Sequence, residues 1–135
     1  MYHNILVPIS FDPERDVSAP LKLAGLLSTA EGQVTLLHVI EHIPAYAISY
    51  MPTGYMEEAR RAIENELASL AAELPNARAI VIEGHSGRSI LDWADINKPD
   101  LIIMASHRPG MQDLLLGSTA SQVVRHAACA VHVVR

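Results

Sequence analysis

The sequence predicts one α/β domain over residues 1–135: an open, doubly wound, mostly parallel five-stranded sheet with helices on both faces and strand order 3-2-1-4-5. Three observations predict that class. Short runs of Val, Ile and Leu alternate with segments of helical period in the order βαβαβαβαβ. The strand runs are apolar throughout instead of alternating with polar residues, as strands covered on both faces are. A chain of 135 residues is also long enough to bury one core and too short for two enzymatic domains with a linker.

Residues 4–9 form the first apolar run, and Pro8 is expected to end it because proline cannot donate to a ladder. Residues 10–16 are polar and rich in turn formers. Leu21, Leu23, Ala24, Leu26 and Leu27 then give a helical face expected to stop before Gly32, and residues 33–39 read as the second strand. Pro44, Pro52 and Gly54 make residues 41–55 read as a loop. Met56, Ala59, Ile63, Leu67, Leu70 and Leu74 recur at three and four, which places them on one face of a helix of about five turns. Glu57 and Arg61 are spaced to pair on its solvent side.

The third strand is expected over residues 78–83. A short helix follows that carries Ile90, Leu91, Ala94 and Ile96, capped by Ser86 or Ser89 and stopped by Pro99. Residues 101–105 are the fourth strand, 119–126 the last helix and 130–134 the fifth strand. The sequence shows neither an internal repeat nor a second-domain linker.

Half of the residues are hydrophobic, 19% are charged and only 4% are aromatic, so an aliphatic core is expected. The formal charge of -5 and the lack of a basic run argue against duplex DNA or RNA as partner. No apolar stretch approaches the roughly 20 residues needed to cross a bilayer, so no membrane insertion is expected and a cytoplasmic location is the default. Cys129, the single cysteine, sits among Ala127, Ala128, Ala130 and Val131 and reads as a buried thiol before it reads as a nucleophile. Seven histidines offer no compact ligand spacing, and His38 reads as a satisfied structural residue or a pocket wall. Asp12, Glu14 and Asp16 form an acidic cluster open to two readings, surface solvation with helix capping or a carboxylate reaching a bound phosphate.

In a doubly wound sheet, ligands bind beyond the carboxyl ends of the strands where the strand order reverses. The strongest local signal there is Ala105-Ser106-His107-Arg108-Pro109-Gly110 leading to Leu116-Gly117-Ser118-Thr119. Gly117 lets backbone approach a ligand, Ser118 and Thr119 bring hydroxyls, and the amides opening the last helix favour an anion. Arg108 adds a charge-assisted phosphate contact. The same residues have a plainer use, with Ser118 or Thr119 capping the helix and Arg108 facing solvent. Neither the lysine-ended P-loop nor the dinucleotide fingerprint is present, since the turn after the first strand is Pro8-Ile9-Ser10-Phe11-Asp12.

An ordered set of segments runs through the whole chain: Asn4-Ile5-Leu6-Val7-Pro8, Leu37-His38-Val39, Gly84, Pro99-Asp100-Leu101-Ile102-Ile103-Met104, Leu114-Leu115-Leu116-Gly117-Ser118, Val123-Val124-Arg125-His126-Ala127 and Val131-His132-Val133-Val134-Arg135. With these the chain closely resembles the universal stress protein family, in particular its small nucleotide-binding members. Members of that family that bind ATP carry a glycine, two residues, a second glycine, about nine residues and then glycine with serine or threonine. Here Ala105 and Arg108 stand at the two glycines, and residues 109–116 supply eight intervening residues before Gly117-Ser118.

The resemblance implies an ATP-binding regulatory or stress-response protein, with Mg²⁺ as a companion of the phosphates. It implies that Pro8, Ile9 and Ser10 lie beside adenosine, that Val39 and Met104 wall the base, and that Ser106, His107 and Arg108 line the ribose and phosphates. Gly117, Ser118 and Thr119 would hold the phosphates. Family members commonly have Asp where Ser10 stands. The resemblance also implies a homodimer through the last strand, with a tetramer admitted. Slow ATP hydrolysis and a nucleotide-independent homodimeric interaction protein are the two competing readings; no catalytic residue and no protein-held metal ligand is assigned.

Overall fold

The computed structural model describes residues 1–11, 17–106 and 116–135. Along the chain lie β1 (Tyr2–Pro8), α1 (Ser18–Leu27), β2 (Ser28–Ile40), α2 (Ala45–Ile48), α3 (Tyr55–Ala71), β3 (Ala77–Glu83), α4 (Ser86–Asn97), β4 (Leu101–Ala105), α5 (Ser118–His126) and β5 (Ala130–Val134). The five strands form one parallel sheet in the order β3-β2-β1-β4-β5, as the sequence predicts.

Alternate side chains of each strand enter two separate apolar layers, which is why the strands carry no polar face. On one side, Leu21 and Ala24 of α1 and Leu67 and Ala71 of α3 close on Ile5, Val7, Val34, Leu36, Leu101 and Ile103. On the other, Ile90 of α4 and Ala120 and Val123 of α5 close on Leu6, Leu37, Ile102 and Met104. Each fully buried Leu or Ile contributes about 1.5–3 kcal/mol by leaving water. The expected face of α3 holds for Ile63, Leu67 and Leu70, whereas Ala59 is exposed and Leu74 packs on the core from beyond the helix end at Ala71. Its surface pair is Arg60 with Glu64 rather than Glu57 with Arg61.

The start of β2 departs from the sequence reading. Helix α1 stops at Leu27, and β1 pairs Tyr2 with Ser28 but Asn4 with Gln33, so residues 29–31 fold back out of the ladder. Gly32 closes this foldback: a Cβ there would lie 2.8 Å from Ser28 Oγ and 3.1 Å from the Tyr2 carbonyl oxygen. The Asn76 amide fastens it from a distance, donating to Ser28 Oγ (2.9 Å) and the Gly32 carbonyl (2.7 Å). Residues 41–55, expected to be a loop, contain the single helical turn α2, whose Ala47 and Ile48 amides donate to the Pro44 carbonyl.

The two halves of the sheet meet only where β1 runs beside β4, with Ile5 opposite Leu101 and Leu6 opposite Ile102. Asp100 locks that seam at its amino end. Its carboxylate accepts the amides of His3 (2.8 Å) and Asn4 (3.0 Å), its own amide donates to the Asn4 carbonyl (2.9 Å), and the Asn4 side chain donates to the carbonyls of Asn97 and Lys98. Burial raises the Asp100 carboxyl, but the backbone amides that bond its ionised form outweigh burial and hold it below its ordinary value.

A carboxylate lowered in the folded state adds stability that is complete above the unfolded value and is lost as pH falls through the folded one. Asp100→Ala is therefore expected to cost about 1–3 kcal/mol at neutral pH. Urea melts at pH 7, 5 and 3 should show that difference persisting at pH 5 and narrowing only below the ordinary carboxylate value of 3.8. Gly84, which follows β3, has φ of 146° and would bring a Cβ against Ser89 Oγ. Gly84→Ala should lower stability by roughly 1–3 kcal/mol in the same assay.

Candidate functional site

Because all strands are parallel, their carboxyl ends share one rim: Pro8, Ile40, Glu83, Ala105 and Val134. The chain moves from β1 to β2 on one side and from β4 to β5 on the other, so the strand order reverses between β1 and β4, the position at which doubly wound sheets take their ligands. Residues 8–10 leave β1 on one flank of it. Ser106 leaves β4 on the other.

Ser106 is buried, with 3% of its surface exposed, and its backbone ties three segments together. Its amide donates to the Val134 carbonyl at the end of β5 (2.9 Å), and its carbonyl accepts the amide of Gly117 (2.7 Å). The second bond draws the start of α5 to the end of β4. Gly117 occupies the N-cap of α5 and the Ser121 amide donates to its carbonyl (2.9 Å), which leaves Ser118, Thr119 and Ala120 as the opening residues, whose amides have no acceptor within a regular helix. Capping by Ser118 or Thr119 is thus corrected, since the cap is a residue without a side chain. Gly117 has φ of -62°, a conformation open to any residue. Arg125 and His126 in the last turn complement the helix dipole, whose positive end lies at Gly117 beside the end of β4.

Ile9 is buried and its amide donates to the Leu37 carbonyl (2.8 Å), which carries the β1–β2 ladder one step past Pro8. The Ile9 carbonyl accepts from His38 Nδ1 at 2.7 Å, and the His38 ring packs 5.1 Å from that of Phe11. His38 is thus the satisfied structural histidine the sequence suggests, with a partner that no local spacing could reveal. Ser10 follows, half-buried. Val39 and Met104 pack in the same apolar layer, on strands flanking β1. The structure brings Pro8, Ile9, Ser10, Val39, Met104, Ser106, Gly117, Ser118 and Thr119 to one rim; His107 and Arg108, with Asp12, Glu14 and Asp16, lie outside the described residues.

Ser86, expected to cap α4, instead donates to Glu41 Oε1 (2.9 Å), while the N-cap is His85 without a side-chain bond. Burial pushes the Cys129 thiol up, and the Asp100 carboxylate pushes the same way, so the thiol is disfavoured as a nucleophile. Among the described residues no group of three His, Cys, Asp or Glu side chains is arranged to hold a metal ion, and no helix is long and apolar enough to cross a membrane. A rim of amides, hydroxyls and apolar walls suits non-covalent binding of an anionic ligand.

Several solved structures share this fold. The hypothetical protein MJ0577 superposes with a TM-score of 0.82 at 26% identity, over 99% of this chain and 96% of that one. The universal stress protein UspA from Lactobacillus plantarum superposes with a TM-score of 0.72 at 27% identity, over 99% and 98%. More distant structures of the fold include one in complex with cAMP (19% identity, TM-score 0.66), one from Arabidopsis thaliana with AMP bound (16%, 0.64) and one from Archaeoglobus fulgidus in complex with dAMP (15%, 0.62). In sequence, Universal stress protein A homolog 2 of Coxiella burnetii is 35% identical over 142 residues, covering 99% of this chain and 95% of that protein. The family model for the universal stress protein family matches residues 1–135. The chain belongs to the universal stress protein family.

Proposed function

We propose that this chain is a regulatory, stress-response protein that binds ATP non-covalently in the crevice between β1 and β4. The observation that carries the reading is the bond from the Gly117 amide to the Ser106 carbonyl, which sets the positive end of α5 beside the strand-order reversal. Phosphates would sit against the opening amides of α5 and the hydroxyls of Ser118 and Thr119. Ser106 and, from the sequence, His107 and Arg108 would line the ribose and phosphates. Adenosine would lie against Pro8, Ile9 and Ser10 with Val39 and Met104 as its apolar walls. Relatives of this fold in complex with AMP, dAMP and cAMP support an adenine nucleotide as the ligand class. A bound Mg²⁺ would take its oxygens chiefly from phosphate and water, consistent with a rim whose described residues supply no ligand cluster. The protein acts in the cytoplasm on this reading.

We also read β5 as the contact for a homodimer. Among the described residues it is an edge strand, its Val131, Val133 and Val134 are half-buried, and pairing with a second copy would satisfy the ladder side that no described strand takes. The other edge, β3, is different: Arg60 donates to the Val81 carbonyl (3.2 Å) and to Glu83 (2.9 Å) and so covers it.

Calorimetry on nucleotide-free protein tests the ligand. Saturable ATP binding is expected, and failure of ATP, ADP and AMP alike to bind would sink the reading. Ser10→Asp restores the carboxylate that family members commonly carry, and should tighten ATP binding in the presence of Mg²⁺ by roughly 3–10-fold, the gain from exchanging a neutral hydrogen bond for a charge-assisted one. Unchanged affinity would remove Ser10 from the ribose contact.

A further inference from the structure

We infer that His38 is a positioning residue of the nucleotide site, holding the turn after β1 in the shape that faces adenosine; the inference rests on the nucleotide reading above. At the end of β1 the backbone runs out of ladder partners. Pro8 has no amide, and the Ile9 amide makes the last rung to the Leu37 carbonyl at 2.8 Å. Beyond that rung the chain leaves β2, and the Ile9 carbonyl points back at a side chain instead of a backbone amide. His38 Nδ1 meets it at 2.7 Å. A carbonyl can only accept, so Nδ1 carries the hydrogen.

The two bonds come from neighbouring residues of one strand, the Leu37 carbonyl and the His38 ring, and they grip both polar atoms of the Ile9 backbone. The ring is itself steadied by Phe11, 5.1 Å away and tilted 50°. Ser10 is therefore held between two residues that both touch His38. The direction in which residues 9–11 depart from the sheet is set by an imidazole that need not touch a ligand to decide where Ser10 stands. Val39, one residue on, packs in the opposite apolar layer from the one that takes Ile9, so β2 delivers a clamp for the turn and a wall for the base from adjacent positions.

The test compares His38→Leu, which keeps bulk and loses the donor, with His38→Asn, whose side-chain amide reaches the position of Nδ1–H. ATP titration by calorimetry is combined with thermal melts of both variants and with nitrogen-15 spectra of the histidine ring in the unsubstituted protein. His38→Leu is expected to bind ATP about tenfold more weakly, with His38→Asn recovering most of that loss at a similar melting temperature. Wild-type-like binding by His38→Leu, equal weakening in both variants, or a ring spectrum with Nδ1 unprotonated would each overturn the positioning role. If His38→Leu does not fold, His38→Asn and the ring spectrum still decide it: retained affinity and a protonated Nδ1 support the role, and tenfold weakening in His38→Asn overturns it. Absence of ATP, ADP and AMP binding by the unsubstituted protein would overturn the nucleotide reading and this role together, whereas unaltered binding in His38→Leu overturns the role alone.

Discussion

The fold depends on the seam between β1 and β4. Among the described residues the strands β3, β2 and β1 are hydrogen-bonded to β4 and β5 through that strand pair alone, while α1 and α4 pack across it. Its register rests on the Asp100 carboxylate, which reads two consecutive amides of β1 while Asn4 reads two carbonyls at the end of α4. The reciprocal bonds work like a buckle at the amino end of the seam. Fixing that end keeps the two halves from sliding past each other where β1 and β4 run on toward the rim.

Much of this was legible in the sequence, for reasons that particular residues make clear. Strands β4 and β5 match their expected bounds because each is an uninterrupted apolar run, with Pro99-Asp100 just before the first. The two-sided apolar character of β1 and β2 predicted helices on both faces, and Leu67 and Val123 confirm it from opposite sides. What failed was the detail that long-range side chains decide. Ser28 to Gly32 carry no strand pattern, and they join β2 because Asn76, far along the chain, holds them. Ser86 has the form of a cap, yet Glu41 takes its hydroxyl. The α2 turn is too short for periodicity to register.

The candidate site divides in the same way. Chain order alone brings residues 8–10, Ser106 and Gly117 to a common rim, since parallel strands must end together. Chain order does not say how each of them is held. Ser106 acts through its backbone, joining β5 and α5, and its side-chain type gives no hint of that. His38 stood out as a histidine in an apolar strand, but its partner lies 29 residues earlier. Local patterns identify which groups arrive at a rim, while their orientation comes from contacts that the fold creates.

The clasp between Ser106 and Gly117 bears on how this family tolerates variation in loop length. The residues on either side of the intervening stretch are fixed to each other at 2.7 Å by the bond from the Gly117 amide to the Ser106 carbonyl. Adding or removing one residue from such a closed loop changes its closure entropy by only about 0.1 kcal/mol. The eight residues between Arg108 and Gly117, against about nine in the usual family spacing, therefore change the entropy of closing that clasp very little. A base fixed in this way separates the number of residues in the stretch from the placement of β4 and α5 on either side of it.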